Sequence, residues 1–142
     1  MIRPIYENEQ DRSRERQVID RLLKPGQTAY KLKMENRLDF AVVDRSNTVV
    51  ALVEVKCRTN KMRAYPSYMV SVQKVMDARQ LSEACNCPAF LFVQWADALG
   101  YISFGSPFQV GFGGRTDRSD SQDVGLMAYF DIDMFREGLN EH

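Results

Sequence analysis

The sequence predicts one α/β domain, in which a mixed central sheet has helices on its flanks. Apolar residues recur at helical spacing in two segments, and β-rich runs follow each of them, in the order helix, three strands, helix, two strands. The length of 142 residues also suits a single domain, residues 1–142, with one ordinary core. Short β-rich runs beyond this order predict a C-terminal β extension, residues 105–142, to a core at about 9–104.

Both predicted helices have recognisable ends. The first covers residues 9–23 and stops before Pro25-Gly26, because proline lacks the amide donor that a helix needs. The second covers residues 72–84, and Ser71 in front of it is a good N-cap.

The strands are predicted from runs of β-branched and aromatic residues that are bounded by turn residues. A polar turn at residues 44–47 joins two of these runs into a hairpin. The run at 89–95 is apolar nearly throughout, as in a central strand that is buried on both faces. Residues 113–125 are polar and acidic, which predicts a mobile loop, and Asp133 is predicted to cap a short terminal helix. The predicted strands lie at residues 28–33, 38–43, 48–56, 68–70, 89–95, 101–104, 108–112 and 126–132.

The composition is that of a soluble globular protein, with 44% hydrophobic and 27% charged residues. No apolar run approaches the length of a membrane span, and the first seven residues lack the apolar region of a secretory signal. We therefore expect a cytoplasmic, intracellular protein that has no membrane partner. The three cysteines, at positions 57, 85 and 87, have neither disulfide nor zinc spacing, so reduced thiols are expected.

The scarcity of histidine excludes several kinds of catalytic site. The only histidine is the terminal residue, His142. Nucleophile systems of the Ser-His-Asp and Cys-His kinds need an imidazole base, and many zinc hydrolases need histidine ligands. Any chemistry must therefore use carboxylates, lysine or a hard metal ion.

The charges are distributed unevenly, although the net charge is zero. Residues 10–37 carry eight Lys and Arg against four acids, and residues 56–79 carry six against one. Residues 97–142 carry three against eight acids. The two basic segments flank the predicted hairpin, so they indicate either a local face for a polyanion or ordinary solvated helix surfaces.

The hairpin carries the strongest chemical signal in the chain. Asp39 opens its first strand, and Glu54 and Lys56 lie near the end of its second strand. Because side chains alternate along a strand, Glu54 and Lys56 share one face. Two acids and a lysine held together in this way are typical of a site that binds a divalent metal and activates water. The alternative is a cross-strand pair of charges on the surface.

Three further polar residues have both a functional and a structural interpretation. Glu15 lies beside the apolar stripe of the first helix, where a bare charge is costly, but it can also pair with arginines on the surface. Gln73 and Lys74 lie in the first turn of the second helix, where anions bind favourably. Taken singly, each of these residues is more simply explained as a solvated or surface-paired side chain.

The element order, with Asp39 and Glu54-Val55-Lys56 on the second and third strands, resembles the PD-(D/E)XK nuclease superfamily. Within it, the chain looks most like the archaeal-type Holliday junction resolvases, since Glu15-Arg16 precedes an apolar run in the first helix. The resemblance covers residues 9–104 and implies a restriction-endonuclease-like fold with an αβββαβ core. Two departures are the replacement of the signature proline by Leu38 and the absence of serine from residues 28–38, where some resolvases carry one.

The resemblance also implies a role for each matching residue. Asp39, Glu54 and the carbonyl of Val55 would ligate Mg²⁺ or Mn²⁺, and Glu15 would complete the metal shell. Lys56 would orient or deprotonate the attacking water and stabilise charge on the phosphate. The remaining residues would act on the substrate. Gln73 would contact the scissile phosphate or the water, and the expected contacts to DNA are Arg16, Arg58, Lys61, Arg63 and Lys74.

These roles imply a metal-dependent endodeoxyribonuclease of the resolvase kind that acts as a homodimer, since a four-way junction has two-fold symmetry. A second possibility is another nuclease of the superfamily, such as a repair or replication exonuclease or a restriction-type or RNA-directed enzyme. A third is a non-catalytic module that keeps the fold and binds nucleic acid or protein. The presence of Glu15, Asp39, Glu54 and Lys56 together argues against the third, because a degenerate relative would be expected to have lost one of them.

Overall fold

The computed structural model describes residues 9–33, 36–114 and 124–137, and it confirms the predicted α/β architecture with a mixed central sheet. The described residues contain two α-helices, α1 and α2, together with strands and short 3₁₀ turns at Met62–Ala64 and Ile132–Met134. The elements are α1 (Glu9–Leu22), β1 (Thr28–Lys31), β2 (Phe40–Val43), β3 (Val49–Cys57), β4 (Ser67–Ser71), α2 (Val72–Cys85), β5 (Ala89–Gln94), β6 (Leu99–Ser103), β7 (Gln109–Gly114), β8 (Val124–Asp131) and β9 (Arg136–Glu137).

Six strands form the main sheet in the order β1-β2-β3-β5-β6-β9. Only β3 and β5 are parallel neighbours, and each of the other pairs is antiparallel. A parallel pair needs a long crossover connection, and here that connection contains β4 and α2. The crossover therefore lays α2 against the sheet beside the end of β3.

The two faces of the main sheet have separate cores, because side chains alternate along each strand. On one face, Val18 and Ile19 of α1 pack against the odd-numbered residues Val53 and Val55 of β3. On the other face, Leu52 belongs to the larger core, which also contains buried residues of α2. Glu54 and Lys56 have the same parity as Leu52, so their side chains start from the α2 side of the sheet.

The predicted burial of the central strand on both faces is only partly correct. Leu91 and Val93 of β5 are buried, whereas Phe90 and Phe92 on the opposite face are half-buried. Helix α1 packs chiefly on β3, so it covers that face of β5 incompletely. Phe90 and Phe92 compensate by packing against Tyr101 of β6, with ring centroids 6.1 Å and 5.3 Å from its ring.

The C-terminal extension contributes to two sheets. Strands β7 and β8 join β4 in a three-stranded sheet of order β4-β8-β7, while β9 returns to the edge of the main sheet. Tyr68 of β4 is paired with Phe130 of β8, and the Phe130 side chain is fully buried in the larger core. The extension thus packs as part of the same core that lies under α2.

The chain end differs from the prediction that Asp133 caps a terminal helix. A 3₁₀ turn forms at Ile132–Met134, and the carboxylate of Asp131 accepts a hydrogen bond from the Asp133 amide at 2.9 Å. An aspartate that bonds to the amide two residues ahead makes a tight turn, which lets the chain continue as β9.

The predicted mobile loop at 113–125 lies mostly outside the described residues, as do the N-terminal lead-in and His142. The described ends of that loop, residues 113–114 and 124–125, belong to β7 and β8. The three cysteines carry free thiols, as expected. Within the described part of the chain, neither α-helix has the length and apolar character that crossing a bilayer would demand.

Replacement of Phe130 by alanine is expected to lower the free energy of unfolding by about 3–5 kcal/mol, because it leaves a cavity between the small sheet and the main core. The matched control is Met76→Ala on α2, where the residue is 57% exposed and the expected change is below about 0.5 kcal/mol. Urea unfolding followed by circular dichroism measures both changes. Equal small losses in the two variants would show that the small sheet is not part of the cooperative core.

Candidate active site

Glu54 is the buried acid at the centre of the site. Its residue is only 3% exposed, yet it lies near the end of β3 on the side that faces α2. The Oε2 atom of Glu54 lies 3.3 Å from Nζ of Lys56 and 3.4 Å from Nζ of Lys74. The predicted sharing of one strand face by Glu54 and Lys56 therefore brings the two charges into contact, and α2 supplies a second cation.

Asp39 lies just before the first residue of β2 and is hydrogen-bonded to β3 through both its backbone and its side chain. Its own amide donates to the Val53 carbonyl at 3.0 Å, and its Oδ2 atom accepts a hydrogen bond from the Val55 amide at 2.8 Å. The carboxylate thus takes the place of a strand partner for Val55, where β2 and β3 diverge. Because the amide and carbonyl of one strand residue point to the same side, the Val55 carbonyl is also directed towards Asp39.

Lys31 joins a third acid to this group. Its Nζ atom lies 3.4 Å from Oε2 of Glu15 on α1 and 3.2 Å from Oδ1 of Asp39. The carboxylate side chains of Glu15 and Asp39 are only 13% and 15% exposed, so both are largely withdrawn from water. The ammonium also lies 5.1 Å from the ring centroid of Phe40, which adds a cation–π contact.

Burial and neighbouring charges shift the protonation of the central pair. Burial raises the pKa of Glu54, the Lys56 ammonium opposes that rise, and the negative charge of Asp39 adds to it. For Lys56, burial disfavours the ammonium, but the charges of Glu54 and Asp39 outweigh it, and the pKa is raised above its ordinary value. Lys56 therefore remains an ammonium at neutral pH and acts as a hydrogen-bond donor there.

The first turn of α2 presents Lys74, rather than Gln73, to the site. The hydroxyl of Ser71 accepts a hydrogen bond from the Lys74 amide at 3.1 Å, which confirms the predicted N-cap. The Lys74 ammonium then contacts Glu54 and donates to the carbonyl of Arg37. Gln73 is exposed, and its side-chain amide donates to the Asp77 carboxylate at 3.0 Å, along its own helix.

Two of the arginines expected to contact DNA, Arg16 and Arg63, are paired with acids of the protein. Arg16 donates to the Ala29 carbonyl at 2.8 Å and pairs with Asp20 at 3.2 Å. Arg63 pairs with Asp133 at 2.7 Å, although both side chains are highly exposed. The contact of Arg16 holds α1 to β1, so its role in this structure includes packing of the helix on the sheet.

Arg58 and Lys61 follow the end of β3 and are exposed. The guanidinium of Arg58 lies 5.6 Å from the ring centroid of Tyr68, so it stacks at the rim of the site. On the α1 side, Arg58 also lines a second cavity together with Arg14 and Arg21. These side chains place positive charge on both sides of the end of β3.

The donor chemistry of the site fits a hard divalent cation. Asp39 and Glu54 supply carboxylate oxygens, and the Val55 carbonyl points to the same edge, which is the oxygen set that Mg²⁺ and Mn²⁺ prefer. The three carboxylates do not yet converge: among the described residues, no group of three or more His, Cys, Asp or Glu is arranged to hold a metal ion. Instead, lysine ammonium groups lie against the carboxylates and balance their charge.

Comparison with known protein families decides the relationship of this chain. The family described as "Phage putative PDDEXK endonuclease" matches residues 1–138. The chain belongs to this family. The match confirms the resemblance expected from Asp39 and Glu54-Val55-Lys56, and nucleases with this signature generally use divalent metal ions.

Comparison with solved structures supports the fold of this PDDEXK endonuclease. The chain is similar to Archaeoglobus fulgidus Hjc, a Holliday junction resolvase from an archaeal hyperthermophile. The TM-score is 0.58 and the sequence identity is 15%, over 88% of this chain and 89% of that chain. The likeness confirms the restriction-endonuclease-like fold class. No match is found among curated proteins.

Sequence reasoning missed Lys31, although the strand period contains a signal for it. Lys31 lies two residues after the buried Ala29, so both side chains start from the face of the sheet that α1 covers. Lys31 ends β1, and β1 pairs with β2, which begins directly after Asp39. A lysine at this place on a covered face needs an acid as its partner. The strand period does not predict how close α1 lies to the sheet edge, and the contact between Lys31 and Glu15 depends on that distance.

Lys31→Met is expected to lower the free energy of unfolding at pH 7 by about 1–2 kcal/mol, because the largely buried Glu15 and Asp39 lose a shared cation. Lys33→Met is the control, since Lys33 is an exposed residue just after the same strand, and a change below about 0.5 kcal/mol is expected for it. Urea unfolding in EDTA measures both. A Lys31→Met protein as stable as the Lys33→Met control would contradict a role for this ion pair in the metal-free fold.

Proposed function

We propose that this PDDEXK endonuclease is a metal-dependent endodeoxyribonuclease that hydrolyses phosphodiester bonds at branched or otherwise distorted sites in DNA. The observation that carries the proposal is the position of Glu54, a buried carboxylate that faces Asp39 and contacts Lys56. An acid of this kind is costly to bury, so its position is best explained by chemistry at the end of β3.

In this proposal Asp39, Glu54 and the Val55 carbonyl hold Mg²⁺ or Mn²⁺, and Glu15 completes the shell. A divalent cation supplies positive charge that acidifies an attacking water and offsets the charge that develops on the phosphate. The hydrogen bond from the Val55 amide fixes one oxygen of Asp39, which leaves its other oxygen, Oδ1, for a cation. Lys31 now occupies that position, 3.2 Å from Oδ1, so it must move aside.

Lys56 orients the attacking water and stabilises the charged phosphate. In the metal-free site burial disfavours the ammonium, but the charges of Glu54 and Asp39 outweigh it and raise the pKa of Lys56, so the resting side chain donates hydrogen bonds. Lys74 supports Lys56 from α2, since its ammonium contacts the same oxygen of Glu54 and can reach a phosphate from that side.

The proposed contacts with the DNA backbone are electrostatic. Arg58 and Lys61 are exposed beyond the end of β3, and Arg63 is available if its surface pair with Asp133 opens, which costs little at such exposure. Arg16 is proposed to contact DNA only with its exposed part, because its NH1 atom is bonded to Ala29. Gln73 lies one residue from Lys74 and would need another rotamer to reach the phosphate.

We further propose a homodimer, because the resolution of a four-way junction needs two incisions related by two-fold symmetry. The small sheet offers an apolar face for such an assembly. Val110 and Phe112 of β7 and Leu126 of β8 are exposed, and the last two are directly paired across the strands. Light scattering at micromolar concentration measures the mass, and a Phe112→Asp variant that stays dimeric would exclude this face.

Glu54→Gln, Asp39→Asn and Lys56→Ala are each expected to lower the cleavage rate by at least about 100-fold, because each removes a charge that acts on the phosphate or on its cation. Glu83→Gln is the control, since Glu83 is an exposed glutamate on α2 and should retain the wild-type rate. Cleavage is followed on labelled DNA in Mg²⁺, with EDTA as the blank and circular dichroism as the check of folding. A folded Glu54→Gln variant with the wild-type rate would refute the proposed site.

The substrate is tested with a four-way junction, a linear duplex of the same sequence and its single strands. Symmetric nicks in the junction support the resolvase interpretation, and progressive loss of label from ends supports an exonuclease. Absence of cleavage of every substrate in Mg²⁺ and in Mn²⁺ would refute the proposed nuclease activity.

A further inference from the structure

A cavity of about 760 Å³ lies immediately beyond the proposed site, on the side of Arg58. Arg58 lies two residues after Lys56, so the cavity continues the line of charged residues that begins at Glu54. The end of β3, the start of β4 and the strand β8 surround it. We call it the aromatic cavity. Its lining includes Arg58, Asn60, Tyr65, Tyr68, Trp95 and Tyr129.

The walls of the aromatic cavity combine flat rings with hydrogen-bonding groups. The ring of Tyr68 makes an edge contact with that of Trp95, with centroids 5.9 Å apart, and Arg58 covers the Tyr68 ring. Tyr65 is 64% exposed, which is unusual for a large ring next to a core. Asn60 adds an amide that can both donate and accept hydrogen bonds.

The hydroxyl of Tyr68 is a second feature of the cavity wall that points to a ligand. Its residue is 8% exposed, and its buried hydroxyl has no hydrogen-bond partner among the described residues. Such a group costs about 1–3 kcal/mol unless a ligand satisfies it. Burial raises the pKa of Tyr68, while the nearby cations Arg58 and Lys56 oppose the rise. The hydroxyl is therefore protonated at neutral pH, and it interacts electrostatically with Arg58 and Lys56 at the border of the proposed site.

The size and shape of the cavity suit one nucleotide rather than a duplex. Pockets for small ligands measure about 300–1,000 Å³ and combine apolar walls with a few polar groups. A base in a continuous duplex is stacked on both sides, so it cannot enter such a cavity. An unpaired base would stack its flat face on the exposed ring of Tyr65 and present its edge to hydrogen-bonding groups, and its phosphate would lie near Arg58 and Lys56.

We propose that the aromatic cavity binds an unpaired nucleobase of the DNA next to the bond that is cut. The enzyme then selects DNA in which a base is unstacked at the cleavage site, such as a branch point, bulge or frayed end, over continuous duplex. This inference rests on the proposed function, because it takes the site at Glu54 and Lys56 to act on DNA.

The test measures binding without cleavage, with the full chain in EDTA. The probes are a DNA duplex with a single unpaired base and the same duplex without it. The chain has one tryptophan, Trp95, so its fluorescence reports directly on the cavity. Wild-type protein is expected to bind the bulged duplex about 10-fold more tightly than the continuous one and to lose Trp95 emission only with the bulged duplex.

Tyr65→Ala should remove about 10-fold of the affinity for the bulged duplex and leave the continuous duplex unaffected. Tyr30→Ala is the control, because Tyr30 is a tyrosine of similar exposure, 55%, on the edge strand β1. Tyr68→Phe should weaken binding of the bulged duplex several-fold, yet it should not lower the melting temperature, since it removes only an unpartnered hydroxyl.

Equal affinity of wild-type protein for the two duplexes, with no effect of Tyr65→Ala, would overturn the inference and leave the proposed function standing. A loss of melting temperature in Tyr68→Phe together with unchanged binding would overturn the role of its hydroxyl in base binding. Absence of binding to either duplex would overturn the inference, while the proposed function is decided separately by cleavage in Mg²⁺.

Discussion

The structure depends on the placement of a carboxylate, that of Glu54, inside the packed region at the end of β3. A charge withdrawn from water in this way is destabilising by several kcal/mol unless other charges and hydrogen bonds compensate for it. Lys56 compensates from the same strand and Lys74 from α2, so strand and helix must keep their relative positions. The N-cap at Ser71, which fixes where α2 begins, thereby also determines where one of these cations lies.

The need to compensate buried polar groups also explains the hydrogen bonds where β2 and β3 separate. Asp39 replaces a strand partner by accepting a hydrogen bond from the Val55 amide, so this amide stays paired where β2 no longer runs beside β3. The open edge exposes a backbone carbonyl and one carboxylate oxygen beside Glu54. Lys31 and Glu15 then connect this edge to α1 on the other face of the sheet. Each face of the sheet thus contributes side chains to one site, although the two hydrophobic cores are separate.

The sequence was sufficient for the two α-helices, for most strands and for the acids of the hairpin, because these depend on local periods, whereas the terminal helix expected after Asp133 was wrong. Alternation along β3 puts Glu54 and Lys56 on one face wherever the strand lies, and a serine before an apolar-periodic segment marks a helix start. The strand period places Lys31 on the face that α1 covers, but its contacts with Glu15 and Asp39 were not predictable, since they depend on the distance between α1 and the sheet edge. The choice of Lys74 over Gln73 depends on the rotation of α2 about its axis, which a one-residue uncertainty changes by about 100°. The pairing of β4 with β8 joins residues far apart in the chain, and no local pattern specifies it.

Although the net charge is zero, the basic residues fall into two groups, those that neutralise the acids of the site and those that are exposed to solvent. The acids of the site each have a lysine beside them, so Lys31, Lys56 and Lys74 contribute little net field while the site is free of metal. The field that can attract DNA therefore comes from exposed cations beyond the end of β3, among them Arg58 and Lys61. Because Arg58 also stacks on Tyr68, the same cation that attracts the backbone forms one wall of the aromatic cavity. Arg58 attracts the DNA backbone and the aromatic cavity selects an unstacked base. These two contacts are adjacent, because both lie just beyond the end of β3.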